Sequence, residues 1–232
     1  MFDAKKLLDQ FLGSQIPGLS GSVKDRAGQM GDLARNNPLK TSALAAAILG
    51  TKTGRKLAGN VATLGGVAAI AGLGYLAYKN YQSGAKPQGV PQDTAALEPP
   101  ADSPFNPQSA ALTNDFALTL LRAMIAAAKA DGHIDAFERQ NIMQKVHEVD
   151  LGAEAEAFLS RELADPIDLD ALVAAGRTEE QRVEIYTASR LAIDPDTRAE
   201  RGYLDLLAGR LKLPDALVDH IEATVSSAKV SL

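Results

Sequence analysis

The sequence predicts an all-α protein, composed of a single glycine-rich transmembrane helix and a C-terminal bundle of about seven short helices. Three observations indicate this class. Alanine and leucine are abundant helix formers, whereas aromatic residues make up only 5% of the chain. Residues 57–78 contain no charged side chain. After residue 110, apolar residues recur at the spacing of an amphipathic helix.

The chain has two parts of opposite charge. Residues 1–90 carry 11 Lys and Arg against 4 Asp and Glu, whereas residues 91–232 carry 13 against 25. The basic part suits the anionic headgroups of a lipid bilayer, which we expect as a partner. Its basic residues are spread out and no aromatic residues interleave them, so we expect no nucleic-acid partner. The absence of cysteine excludes disulfides, thiolate metal sites and a cysteine nucleophile.

Residues 1–50 form a basic, glycine-rich N-terminal region. Its first segment, Phe2–Leu12, alternates apolar and polar residues at roughly helical spacing. This pattern is typical either of an interfacial helix that lies on a membrane or of a short docking helix. Charges interrupt the apolar run, so a cleavable signal peptide is not indicated.

Residues 51–82 contain the predicted membrane span. The uncharged residues 57–78 would form a helix of about 33 Å, which covers a hydrocarbon core of about 30 Å. Basic residues precede this stretch, and tyrosines with Lys79 follow it. A buried helix of a soluble domain is the alternative interpretation. Small residues at four-residue spacing would let two such helices approach closely, which would permit a homo-oligomer: Ala58, Ala62, Gly66, Ala68 and Gly72.

The flanks of this span also predict its orientation and its connection to the rest of the chain. More basic residues lie before the span than after it, so the N-terminus is predicted to be cytoplasmic. Residues 83–109 contain six prolines among small and polar residues, a composition typical of an extended linker. We therefore expect this linker to separate the anchor from the following domain.

Residues 110–230 are predicted to form an acidic helical domain. Proline and glycine residues divide it into helices that begin near residue 110 and at 135–149, 153–164, 168–175, 178–192, 197–211 and 214–228. An internal similarity at an offset of 62 residues relates Arg139 to Arg201 and Glu138 to Glu200. This similarity suggests two helical hairpins related by duplication.

Two acidic turns are the candidate functional residues of this domain. Asp131, Asp135 and Glu138 lie in the first, and Asp194, Asp196 and Glu200 lie in the second. If the turns meet in space, their carboxylates could bind a divalent metal ion, although the spacing excludes an ordinary EF-hand. Helix capping is the alternative, because Asp135 with Glu138 and Thr197 with Glu200 have the spacing of a capping box.

The sequence gives no indication of an enzyme. It has no nucleotide-binding loop, no Gly-x-Ser-x-Gly turn and no His-Glu-x-x-His motif. Acidic pairs on helices are common on solvated faces, so they do not establish acid–base chemistry.

The motifs around the two turns resemble a known family. AAAKADGHIDAFER and LAIDPDTRAERGYLDLLAGRLKL are similar to the tellurite-resistance TerB-like helical domain, and the whole chain resembles the YebE-like bacterial inner-membrane proteins of unknown function. This resemblance implies an all-helical domain, acidic residues proposed for metal binding, and a link to envelope or metal stress. It establishes no reaction.

Together these features predict a single-pass protein of the bacterial inner membrane. We expect its acidic helical domain to act as a non-enzymatic interaction module that binds another protein. A divalent-metal sensor or buffer that uses the paired acidic turns is the alternative.

Overall fold

In a computed structural model of the protein, the described residues are 3–12, 66–90, 98–110, 112–130, 143 and 152–230. The all-α class is confirmed over these ranges, which contain eight helices and no strand. The helices are α1 Ala4–Leu12, α2 Gly66–Gln82, α3 Asn114–Ala128, α4 Ala153–Ala164, α5 Leu169–Ala175, α6 Glu179–Ala192, α7 Arg198–Arg210 and α8 Asp215–Val230. The predicted helix at 135–149 lies outside the described residues except for Met143.

Side-chain caps explain where several helices begin. The Oγ1 of Thr113 accepts a hydrogen bond from the amide of Phe116 at the start of α3. Thr178 caps α6 in the same way, and Asp168 caps α5 through its carboxylate. Each cap satisfies an amide that has no partner within the helix, so the polar residues before each apolar run fix the helix start.

Helix α6 lies at the centre of the fold. It packs on α2, α3 and α8, and its residues 183–192 are all buried. Gly74 faces Val183, which an added Cβ would approach to 3.3 Å, and the Tyr78 hydroxyl donates to Glu179, so α2 runs antiparallel to α6. Hydrogen bonds that join residues 186 and 222, 190 and 226, and 193 and 229 show that α8 runs parallel to α6.

The glycine-rich helix α2 is a core helix of this bundle. Ten residues between Gly66 and Ala77 are buried, against α1, α6 and α8. In the parts of the chain that the structure describes, no helix combines the length and the apolar character needed to cross a membrane. The predicted span at 57–78 is therefore not supported, and its first part, 57–65, lies outside the described residues. Glycine and alanine permit close helix packing in a bundle as well as in lipid, so the composition of this segment did not distinguish a core helix from a membrane span.

The described parts of the predicted linker pack on the bundle. The Thr224 Oγ1 donates to the carbonyl of Gln88, and the Val90 amide donates to the Ser227 Oγ, so residues 88–90 follow α8. Gly89 lies so close to α8 that an added Cβ would be 2.3 Å from the Ser227 Oγ. Further along, Phe105 is buried against two tyrosine rings of α2. These segments lie against the helical domain and do not hold it away from α2.

Candidate functional site: the second acidic turn

The second acidic turn connects the end of α6 to the start of α7. Ile193 leaves α6 with an extended backbone (φ −132°, ψ 151°), and Pro195 cannot continue a helix. Thr197 is also extended (φ −89°, ψ 161°) and is the N-cap of α7. The turn therefore presents its acidic residues at the point where α6, α7 and α8 come together.

Thr197 and Glu200 form a reciprocal capping box. The Thr197 Oγ1 accepts a hydrogen bond from the Glu200 amide at 3.1 Å, and the Glu200 Oε2 accepts one from the Thr197 amide at 2.9 Å. The same Oε2 also accepts a hydrogen bond from the Thr197 hydroxyl at 2.8 Å, which is the third bond between the two residues. Glu200 is buried, so its carboxylate stabilises the start of α7 and is not directed to solvent.

Asp194 is paired with cations of the protein itself. The Lys229 Nζ donates to the Asp194 Oδ1 at 2.9 Å, and the guanidinium of Arg190 lies 3.7 Å from the same oxygen. Lys229 also donates to the carbonyl oxygens of Arg190 and Ile193, at 3.1 Å and 2.7 Å. The ammonium group therefore occupies a cage of three oxygens at the C-terminal end of α6, where a helix favours positive charge.

Arg190 extends this pairing into a buried network. Its Nε donates to the Glu222 Oε2 at 2.6 Å, and its two terminal nitrogens donate to the Ile193 carbonyl and the Ser226 hydroxyl, both at 2.8 Å. The Tyr186 hydroxyl donates to the other oxygen of Glu222 at 2.9 Å. The network joins α6 to α8 through hydrogen bonds that involve charged groups, which are stronger than those between neutral groups.

Burial shifts the pKa values in this network. Desolvation, with the nearby Arg190 charge, lowers the pKa of Lys229 to about 8, although Asp194 and Glu222 act in the opposite direction. Desolvation and the Glu222 carboxylate raise the pKa of Tyr186, so its hydroxyl stays protonated and continues to donate. Lys229 therefore titrates nearer to neutrality than an exposed lysine does.

Asp196 lies at the exposed side of the turn. Its amide donates to the Asp194 carbonyl at 2.6 Å. The Arg201 guanidinium donates to the carbonyls of Pro195 and Asp196, both at 2.9 Å. These bonds fix the backbone of the turn, while the Asp196 side chain faces solvent.

The first acidic turn lies outside the described residues, and Asp131, Asp135 and Glu138 with it. Helix α3, which leads to it, ends at Ala128; the C-cap residue Lys129 donates from its ammonium group to the carbonyls of Glu162 and Asp165 at the end of α4. Among the described residues there is no group of three His, Asp or Glu side chains placed to hold a metal ion. A site shared by both turns stays a prediction.

The structure describes three of the five predicted packing residues. Gly66 and Gly72 are buried within the bundle and Ala68 is half-buried. Ala58 and Ala62 lie outside the described residues. The described three pack within the domain of their own chain.

The sequence interpretation missed the residues that carry the network: Arg190, Glu222 and Lys229. One signal was present, because Arg190 and Asp194 have the i, i+4 spacing of a helical ion pair. Lys229 gave no local signal, since its partners lie 35 to 39 residues earlier in the chain. The buried Glu184, between Val183 and Ile185, was also missed.

A family model described as "Protein of unknown function (DUF533)" matches residues 35–225 of the chain. The chain therefore belongs to this family. It is 32% identical over 131 residues to an uncharacterized protein in the ampR 5′ region of Yersinia enterocolitica, a match that covers 56% of this chain and 94% of that protein. No solved structure matches the chain.

Proposed function

We propose that the protein is a non-enzymatic interaction module that binds another protein on the outer face of α7. Leu206 carries the proposal: it is 55% exposed, although it lies in the middle of a helix of the domain. Gly202 and Gly209 lie one turn to either side on the same face, and an added Cβ at either would meet no atom of the described residues within 4 Å. An exposed leucine between two open positions has the shape that a second helix can pack against.

Two of the three acidic residues of this turn, Asp194 and Glu200, support a non-enzymatic role. Glu200 caps α7, Asp194 pairs with Lys229, and Arg190 pairs with Glu222. Side chains held in this way stabilise the junction of three helices. A general acid or base would instead need a carboxylate within reach of a substrate.

Site-specific photocrosslinking tests this proposal. A photoreactive residue at Leu206 should give an adduct with the same protein in repeated experiments in cells, whereas one at the exposed Asp219 should not. Gly202→Glu should remove the adduct, because it adds a charged side chain to the interacting face without meeting the core. The same adducts at both positions, or an adduct that persists in Gly202→Glu, would contradict the proposal.

Metal sensing is a second candidate, and the three-oxygen cage around Lys229 favours it. The Asp194 carboxylate and two backbone carbonyls already converge on one cation. A divalent ion would take the place of the ammonium, so Lys229→Met should strengthen binding of Ca²⁺, Mg²⁺, Zn²⁺ or Mn²⁺. An ion at a hundredfold excess over its Kd adds about 2.7 kcal/mol to the folded state in a thermal melt. Metal sensing would be excluded if none of these ions raised the Tm, or if the rise persisted in the double variant Asp131→Ala/Asp194→Ala.

We also propose the finer family assignment and its localisation. The C-terminal domain is TerB-like, the whole chain is YebE-like, and the protein is attached to the bacterial inner membrane with a role in envelope or metal stress. The quoted motifs around the acidic turns and the uncharged residues 57–78 support this. Recovery of the native protein in the soluble fraction, or unchanged growth of a deletion strain under tellurite and envelope stress, would count against it.

A further inference from the structure

Helix α2 is apolar around its whole circumference. Its buried residues from Gly66 to Ala77 do not fall on a single stripe, and its first charged residue is Lys79. A helix of this kind belongs either in a protein core or in a membrane. In the structure it lies in a groove that α1, α6 and α8 form.

This groove contains polar atoms that α2 does not satisfy. Thr187 of α6 faces Gly74, where an added Cβ would be 3.6 Å from its Oγ1. His220 of α8 lies edge-on to the ring of Tyr81 at 6.1 Å. Both residues are buried, and neither the Thr187 Oγ1 nor the His220 Nδ1 has a hydrogen-bond partner among the described residues.

The unsatisfied atoms reduce the difference in free energy between the docked helix and an open groove. A buried polar atom without a partner has lost its hydrogen bonds to water, and it regains them when the groove opens. An open groove with a hydroxyl and an imidazole on its surface is also hydrated more favourably than a wholly apolar one. The contact of α2 is therefore weaker than its apolar area alone indicates.

The sequence around α2 indicates which surroundings a released helix would enter. The uncharged stretch continues from the helix back to Leu57, and Lys52, Arg55 and Lys56 precede it. At its other end Tyr75, Tyr78, Lys79 and Tyr81 have the composition found at a membrane–water interface. A lipid bilayer with anionic headgroups matches both the apolar stretch and its basic flank.

We propose that α2 exchanges between two positions: the groove that α1, α6 and α8 form, and a lipid bilayer into which it inserts without spanning it. In the first position it completes the core of the domain. In the second it attaches the domain to the membrane and exposes the groove with Thr187 and His220. The inference rests on the proposed membrane attachment and is independent of binding at α7.

A disulfide lock tests the exchange in the full-length protein. The chain has no cysteine, so Gly74→Cys/Thr187→Cys introduces its only thiols, at positions whose side-chain atoms would lie about a disulfide's reach apart. The reduced protein should bind vesicles of phosphatidylethanolamine and phosphatidylglycerol. The oxidised protein should bind at least about tenfold less, because the lock removes the state that binds. Each single-cysteine variant cannot lock and should bind under both conditions.

Equal vesicle binding by the oxidised and reduced proteins would overturn the exchange, and so would an absence of binding by both. Hydrogen exchange of the unmodified chain gives an answer that does not depend on the lock. Vesicles should speed exchange in residues 183–190 and 220–227 and keep it slow in α2. Unchanged exchange in all three segments would also overturn the proposal.

Fractionation of cells separates this inference from the attachment on which it rests. If the wild-type protein is found with membranes and the oxidised locked protein is found there equally, the attachment stands and the exchange fails. If the wild-type protein is soluble in cells, the attachment itself fails.

Discussion

Arg190 and Glu184 are two charged residues of the same helix with the same exposure and opposite surroundings. Each is only 5% exposed. Arg190 donates hydrogen bonds to Glu222, Ser226 and the Ile193 carbonyl. Glu184 receives no hydrogen bond or ion pair from a described residue, and the charge that acts on it is the like charge of Glu180.

The comparison shows that burial alone does not determine the state of a charged group. The Arg190 guanidinium has a carboxylate and two neutral acceptors in place of water. Burial, followed by the nearby Glu180, raises the pKa of Glu184 to about 8, so its carboxyl is mostly neutral at pH 7. One helix therefore carries a charge that stabilises the contact with α8 and a carboxyl that lowers the stability of the fold at neutral pH.

The largest effect is expected for Arg190→Met. The substitution removes a buried guanidinium, leaves the half-buried Glu222 without its cation and removes the donor to Ser226, so the free energy of unfolding should fall by about 3–4 kcal/mol. Urea denaturation of the full chain measures it. Arg210→Met is the matched control, because the pair of Arg210 with Asp170 is exposed and should contribute much less. Equal losses in the two variants would show that the buried network has no special role.

Glu184→Gln should change stability next most, and in the opposite direction. In the unfolded chain Glu184 ionises near its ordinary pKa of 4.5, whereas in the folded chain it keeps its proton to about pH 8. The wild-type protein should therefore lose stability as pH rises from about 4.5 to about 8. The glutamine variant lacks this loss and should be more stable at pH 7 by about 2–3 kcal/mol.

Unfolding curves at pH 4.5 and pH 7 test this expectation. The two proteins should differ little at pH 4.5 and most at pH 7. Measurements should stop near pH 8, because the lowered pKa of Lys229 makes its own contribution rise with pH between about 8 and 10.5. A variant as stable as the wild type at both pH values would show that Glu184 has a cationic partner in solution.

Tyr186→Phe should have a smaller effect. It removes the hydroxyl that donates to the Glu222 Oε1 and leaves the ring in the core, so a loss of about 1 kcal/mol is expected. Thermal or chemical denaturation at pH 7 measures it. In the Arg190→Met background the loss should differ, because the two residues share Glu222. Strict additivity would mean that they do not act through the same carboxylate.

Glu180→Gln should have the smallest effect. It removes the like charge near Glu184, so the pKa of Glu184 should fall slightly and stability at pH 7 should rise by a few tenths of a kcal/mol. Titration of the Glu184 carboxyl by NMR is the sharper measurement. A pKa of Glu184 that does not move would assign its shift to burial alone.

Local patterns in the sequence predicted much of the fold. The capping spacing of Thr197 and Glu200 and the prolines at 166, 195 and 214 gave helix limits close to those of the described residues from 153 to 230. These features act within one turn of helix, so a short stretch of sequence contains the whole interaction. The metal interpretation of Asp194 could not be judged in the same way, because its partner Lys229 lies far along the chain.

The sequence by itself determined that the described parts of the chain are helical, where most of their helices begin and end, and that an acidic turn separates α6 from α7. Only the tertiary structure decided that Gly66–Gln82 packs between α6 and α8, that an ammonium group lies on Asp194, and that Glu184 is buried with no cation beside it among the described residues. The physical reason is the separation along the chain over which each interaction acts. Helix propensity and capping depend on neighbours in sequence, whereas the surroundings of a glycine-rich helix or a buried charge depend on which distant elements pack around it.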